Sequence, residues 1–203
     1  MAIGRFNDPQ RYLIERWQDV DDIQTCLDEI NKKHNELIDK IVEEIKDRYP
    51  DLNSNALVPT RGSPVRKIAF GKKTWTGKYP YISGFWVDNI GLDSLLNPNS
   101  DEKPEASIWF NLDGNAIQKG NACIKAVRTS TSRILDSSER KLWKEDYPGY
   151  KGLALWYALP EKSTDFRKML LDGSGQQFIE CMENHFKSMF RFTETIDNAM
   201  KRG

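Results

Sequence analysis

Across 203 residues the chain carries 30 basic and 30 acidic side chains, with 38% hydrophobic and 30% charged residues. That balance excludes a disordered chain and, judged on net charge alone, a generic polyanion binder. No run approaches the ~20 apolar residues of a membrane span, residues 1–11 lack the apolar stretch of a secretory leader, and three scattered cysteines with two histidines form neither a disulfide framework nor a zinc motif, so a cytoplasmic protein without cofactor or metal is expected.

Asp8-Pro9 starts a helix, an acidic N-cap before proline at the first helical position. Val20, Ile23, Leu27, Ile30, His34, Leu37 and Ile41 then alternate spacings of three and four, and Ile38, Val42 and Ile45 widen the stripe, predicting a helix over residues 20–48 with a break near 19–22. Tyr49-Pro50 ends it. The stripe has two open uses: packing within the chain, which would bury Ile30 and Leu37, or a homodimer or protein-partner interface.

Residues 51–64 form a connector, after which the period changes. Runs 65–70, 79–87, 106–112 and 153–159 are strand-like, rich in β-branched and aromatic residues between breakers. Asp113-Gly114 offers a hairpin turn, making 116–128 a fifth strand. Residues 92–96 make one helical turn, 97–104 a charged loop and 138–146 a short helix; Ser163 or Thr164 caps another that ends near Gly173. Phe178, Met182, His185, Met189, Phe192 and Ile196 predict a last helix over 176–200. The fold class is α+β: long terminal helices around a curved, mostly antiparallel sheet of about five strands. It is read as one domain, 1–203, helical over 1–50, sheet over 64–160 and helical again over 163–203.

Charge placement is the most informative feature. Residues 52–87 hold six bases and no acid, where about five acids would fall by chance, and residues 114–135 hold four bases and no acid. These two segments are expected to meet as one positive face. Within the first, Arg66, Lys67, Lys72, Lys73 and Lys78 alternate with Trp75, Tyr79 and Tyr81. Bases attract phosphate and flat rings stack on exposed nucleobases, so these eight residues are the candidate nucleic-acid contacts.

The string Arg66-Lys67-Ile68-Ala69-Phe70-Gly71, then Trp75 and Pro80-Tyr81-Ile82, and later Ser107 to Gly114, resembles the N-terminal DNA-recognition domain of McrB-type modification-dependent restriction proteins. Over about residues 65–114 the resemblance implies a DNA-binding, restriction or defence protein, non-catalytic in isolation, that flips a modified base into an aromatic pocket. It departs from the family where Tyr81 replaces the usual tryptophan, and no GTPase motor follows.

Two other classes stand beside this one. One is an interaction module (inhibitor, immunity or adaptor protein) acting through amphipathic helices. The other is a metal-dependent nuclease with Asp88 at a strand end and Asp101-Glu102-Lys103 as the later triplet. Asp172-Gly173-Ser174-Gly175 precedes the last helix and could hold an anion or simply punctuate it. His34 and His185 lie on apolar stripes as core histidines, and Cys123 reads as a packed strand residue.

Overall fold

The computed structural model describes residues 8–57, 67–76, 83–99, 103–146 and 151–202. Residues 1–37 and 38–203 form two compact units. The first contains α1 (Asp8–Glu15) and the start of α2 (Trp17–Arg48). The interruption expected at 19–22 falls instead at Arg16. Tyr12, Leu13, Ile14, Trp17, Ile23 and Leu27 are exposed, and Ile30 is 48% exposed. Leu37 is half-buried. The expected burial of Ile30 is therefore corrected: among the described residues the first unit has no further element to cover that face. In the second unit the rest of the stripe, Ile38, Ile41, Val42 and Ile45, is buried.

The second unit is built on one open antiparallel sheet. Four strands make its body: β2 (Lys67–Gly71), β3 (Gly84–Asp88), β4 (Glu105–Trp109) and β5 (Leu153–Ala158). A further strand, β1 (Asn53–Leu57), inside the expected connector, pairs along the outer edge of β2. Each strand neighbours the next in sequence. Register fixes the two faces, because cross-strand partners share a side and successive residues alternate. Ile68 with Val87, Phe70 with Phe85, Phe85 with Ile108 and Ile108 with Leu155 place one apolar row on one face. Helix α8 (Gln176–Phe190) covers that face, with the rings of Phe186 4.8 Å from Phe70 and of Phe190 5.3 Å from Phe85. The other face carries Trp86, Ser107, Trp109 and Trp156. Gly84, at φ +154°, is required where it stands, since a Cβ there would strike the Phe70 carbonyl.

The fifth expected strand is not one. Residues 116–128 lie mostly in α5 (Ile117–Ile134), entered through a 3-10 turn over Gly114–Ala116 rather than a hairpin at Asp113-Gly114. Gly120, Cys123, Val127 and Ser130, spaced three, four and three, face inward, which is helical periodicity. Cys123 is thus a packed helix residue, its thiol pushed up to about 12 by burial. Short helices α3 (Lys73–Thr76), α4 (Leu92–Leu96), α6 (Ser137–Leu142) and α7 (Ser163–Leu170) fill the connections. The expected final helix is two, α8 and α9 (Thr193–Arg202), parted at Arg191–Phe192 where Phe192 turns into the core against Trp143.

Candidate anion-binding groove

Helices α5 and α9 pack side by side, and α5 also lies against β5. Small residues at the contact, Ala122, Ala126 and Ala199, leave a groove of about 1060 Å³. Gln118, Thr129, Ser130, Thr195 and Asn198 give it a hydrogen-bonding lining. Four cations, Lys125, Arg133, Arg191 and Arg202, stand around it against one acid, Glu194. All five charged side chains are exposed. The Arg191 guanidinium already donates to Glu139 at 2.6 Å. Among the described residues Lys125, Arg133 and Arg202 have no acidic partner, so their charge is directed to solvent.

The cations of α5 come from the second acid-free segment, 114–135, but not all four of its bases contribute. Arg128 is a structural tie: its guanidinium donates to the carbonyls of Ala154 (3.1 Å), Leu153 (3.1 Å) and Glu145 (2.5 Å), fastening α5 to β5. Lys119 is exposed, like Lys125 and Arg133.

The first acid-free segment is described over residues 52–57, 67–76 and 83–87. Among the described residues, α3 packs on α9 and β2 and β3 lie within the sheet, while α5 packs on α9, β5 and α6. Among the described residues the two segments share no extensive packing, and α3 and α5 each lie against α9. Trp75, expected to stack on a base, is 5% exposed; its indole N–H donates to Asp197 at 2.7 Å and its ring meets Phe85 edge-on at 5.5 Å. Stacking is corrected to packing for this residue. Lys72 donates to the same carboxylate at 2.6 Å, and Lys67 pairs with Asp88 at 3.0 Å while lying over the Trp86 ring. Lys73 opens α3. Arg66, Lys78, Tyr79 and Tyr81 lie outside the described residues.

Half-buried aromatics do occur on the sheet, at Trp86, Trp109 and Trp156 on the face away from α8, with the Lys144 ammonium 4.9 Å over Trp156. Strict alternation from Phe85 and Val87 would have separated Trp86 from the core row. Asp88, proposed as a nuclease ligand, is engaged with Lys67 and faces Glu105 across the ladder; Asp101 and Glu102 lie outside the described residues and Lys103 is exposed. At the start of α8 the anion is the chain's own: Asp172 accepts from the backbone N–H groups of Ser174, Gly175 and Gln177, which hold its carboxyl below the usual range.

The chain matches no protein-family model, no curated protein and no solved structure. Among the described residues no helix is long and apolar enough to cross a membrane.

Proposed function

We propose that the protein binds nucleic acid without catalysing a reaction on it, and that the phosphate-binding surface is the α5–α9 groove. The observation that carries this reading is the lining itself: three cations free of acidic partners among the described residues, beside neutral hydrogen-bond donors, on a chain whose net charge is zero. Lys125 and Arg133 are two helical turns apart, about 12 Å along the axis. That span covers three to four phosphate steps of a duplex strand at roughly 3.4 Å each. Small side chains between them allow a sugar-phosphate backbone to approach. The likeness of residues 65–114 to McrB-type DNA-recognition domains supports DNA as the ligand and a restriction or defence setting.

The test is fluorescence anisotropy with labelled duplex DNA, plain and methylated, single-stranded DNA and RNA over a salt series. Three phosphate contacts give a slope of log K against log salt of about −2.7 on duplex DNA. Replacing Lys125, Arg133 and Arg202 with alanine removes that slope and leaves the melting temperature in place, because all three are exposed. No binding tighter than about 100 μM at low salt refutes the reading.

A second reading, an interaction module, is favoured by the exposed apolar residues of the first unit. Its occupant is a second copy of this chain. Val20 and Leu27 fall at heptad position a, and Ile23 and Ile30 at d. Paired antiparallel about residue 25, these four form self-complementary layers, Val20 on Ile30 and Ile23 on Leu27. At the flanking g positions, whose pairs centre one residue further on, Asp19 meets Lys33 of the other copy and exposed Cys26 meets its own counterpart, whereas a parallel pair brings no opposite charges together. Light scattering tests it: Ile23→Lys yields a monomer, Asp19→Lys and Lys33→Asp each weaken the dimer, and together they restore it. A wild-type monomer at high concentration refutes it.

A further inference from the structure

Three side chains outside the groove converge on one point. Cys181 and His185 are four residues apart on α8 and so share a helix face. Glu161 reaches them from the segment between β5 and α7. The Cys181 Sγ lies 3.6 Å and the Glu161 Oε2 3.2 Å from the same atom, His185 Nε2, and all three ligand atoms lie within 4.8 Å of one another. The other ring nitrogen, Nδ1, is 2.8 Å from the Tyr157 hydroxyl.

A Cys-His-Glu nucleophile system needs the thiol and the carboxylate on opposite ring nitrogens, so that the acid orients the base. Here both crowd Nε2, which has one proton or one lone pair to offer. The arrangement fits a coordination shell instead. With metal bonds of about 2.3 Å to sulfur, about 2.05 Å to nitrogen and about 2.1 Å to oxygen, a tetrahedral site has an S–N edge of about 3.6 Å and an N–O edge of about 3.4 Å. The two observed separations lie within about 0.2 Å of these edges. Tyr157 completes the pattern from outside the shell: with Nδ1–H donating to its oxygen, the ring is held in the tautomer that turns the Nε2 lone pair inward.

The geometry points to a divalent-cation site of the zinc class, held by Glu161, Cys181 and His185 with a fourth position left for water. His185 and Glu161 retain 10% and 20% side-chain exposure, which suits an open site rather than a closed structural one. Burial, with the Glu161 carboxylate beside it, pushes the Cys181 thiol up to about 12. A bound cation reverses this, since it deprotonates a ligating thiol and neutralises the facing carboxylate.

Cobalt provides the readout. Full-length protein carrying Cys26→Ser, which removes the exposed thiol, is stripped of metal and titrated with Co²⁺. One equivalent binds, with the visible bands of a tetrahedral site and a thiolate-to-cobalt charge-transfer band in the near ultraviolet, and Zn²⁺ displaces it. Cys181→Ser keeps the far-ultraviolet dichroism but loses the charge-transfer band, and Glu161→Gln weakens binding more than ~100-fold. Tyr157→Phe keeps the band and weakens binding by only ~10–100-fold, as an outer partner does. Absence of saturable one-equivalent binding overturns the site. So does binding that survives Cys181→Ser or Glu161→Gln unchanged, because the metal is then held elsewhere.

Discussion

Trp75 distinguishes a packing residue from a binding residue, and its replacement by alanine has a calculable cost. The side chain is 5% exposed and its ring lies 5.5 Å from that of Phe85. Truncating a buried tryptophan costs about 3–5 kcal/mol in lost transfer energy and cavity. Asp197 also loses the indole N–H at 2.7 Å. A hydrogen bond to a charged group contributes about 1.5–3 kcal/mol, here toward the low end, since Asp197 retains Lys72 and its side chain is 26% exposed. The sum is about 4.5–6.5 kcal/mol, and at about 2–4 °C per kcal/mol for a chain of this size it lowers the melting temperature by about 10–25 °C. Trp75→Phe keeps the edge-on contact and loses mainly the N–H, so about 1–3 kcal/mol separates it from wild type. Thermal melts followed by near-ultraviolet dichroism measure both. If Trp75→Ala melts within a degree or two of wild type while losing nucleic-acid affinity, the indole is not part of the core and base stacking is restored as its role.

The remaining predictions concern other links in the fold. Burial, aided by the neighbouring Asp88 carboxylate, raises Glu105 from 4.5 to about 7. Between these values the folded state holds a proton that the unfolded state has released, so stability falls as pH rises from about 4.5 to about 7 and then levels off. Glu105→Gln removes that slope: it melts above wild type beyond pH 7, with the gap closing toward pH 4.5; a gap independent of pH counts against the assignment. Ile41→Ala, at a fully buried position, costs about 2–5 kcal/mol in a denaturant melt, while Ile30→Ala leaves the midpoint within error at concentrations where the chain is monomeric. Arg128→Met leaves three carbonyl acceptors without their donor and destabilises by about 1–3 kcal/mol, with no change in the salt slope of nucleic-acid binding.

The helices and the body of the sheet were legible because their signal is periodicity repeated over several turns or bounded by breakers. Residues 17–48 and 153–158 are of this kind. Segment 116–128 looks like a strand in sequence because its β-branched residues and the preceding Asp-Gly both point to a hairpin, while small residues at 120, 122 and 126 hide the helical spacing. Propensity yielded there to packing, since α5 has β5 and α9 to pack against. Ile30 failed for the opposite reason. A stripe shows that a helix has an apolar face without showing where the covering partner ends, and the seam from Val20 to Ile41 is continuous in sequence while its exposure changes along its length.

Charge placement was legible in part, and the part that misled does so for a physical reason. A run of bases without acids states that no carboxylate is local in sequence, yet an ion pair needs only proximity in space. Lys72 finds Asp197, 125 residues away, and Lys67 finds Asp88 across the sheet. Sequence-local counting therefore overestimates free positive charge wherever a segment packs among other elements that supply the counter-ions, the neighbouring strand β3 for Lys67 and the helix α9 for Lys72. It performs better on a helix with one face in solvent, where cations three, four or eight residues apart present to the same side with no partner strand between them. This is why the shorter acid-free segment, with fewer bases, keeps Lys125 and Arg133 on the rim of the groove, while the longer one commits Lys67 and Lys72 to the fold. The Glu161–Cys181–His185 cluster marks the corresponding limit for metal ligands. Cys181 and His185 are visible as a one-turn pair on α8, but Glu161 enters only when β5 and its exit are laid against that helix.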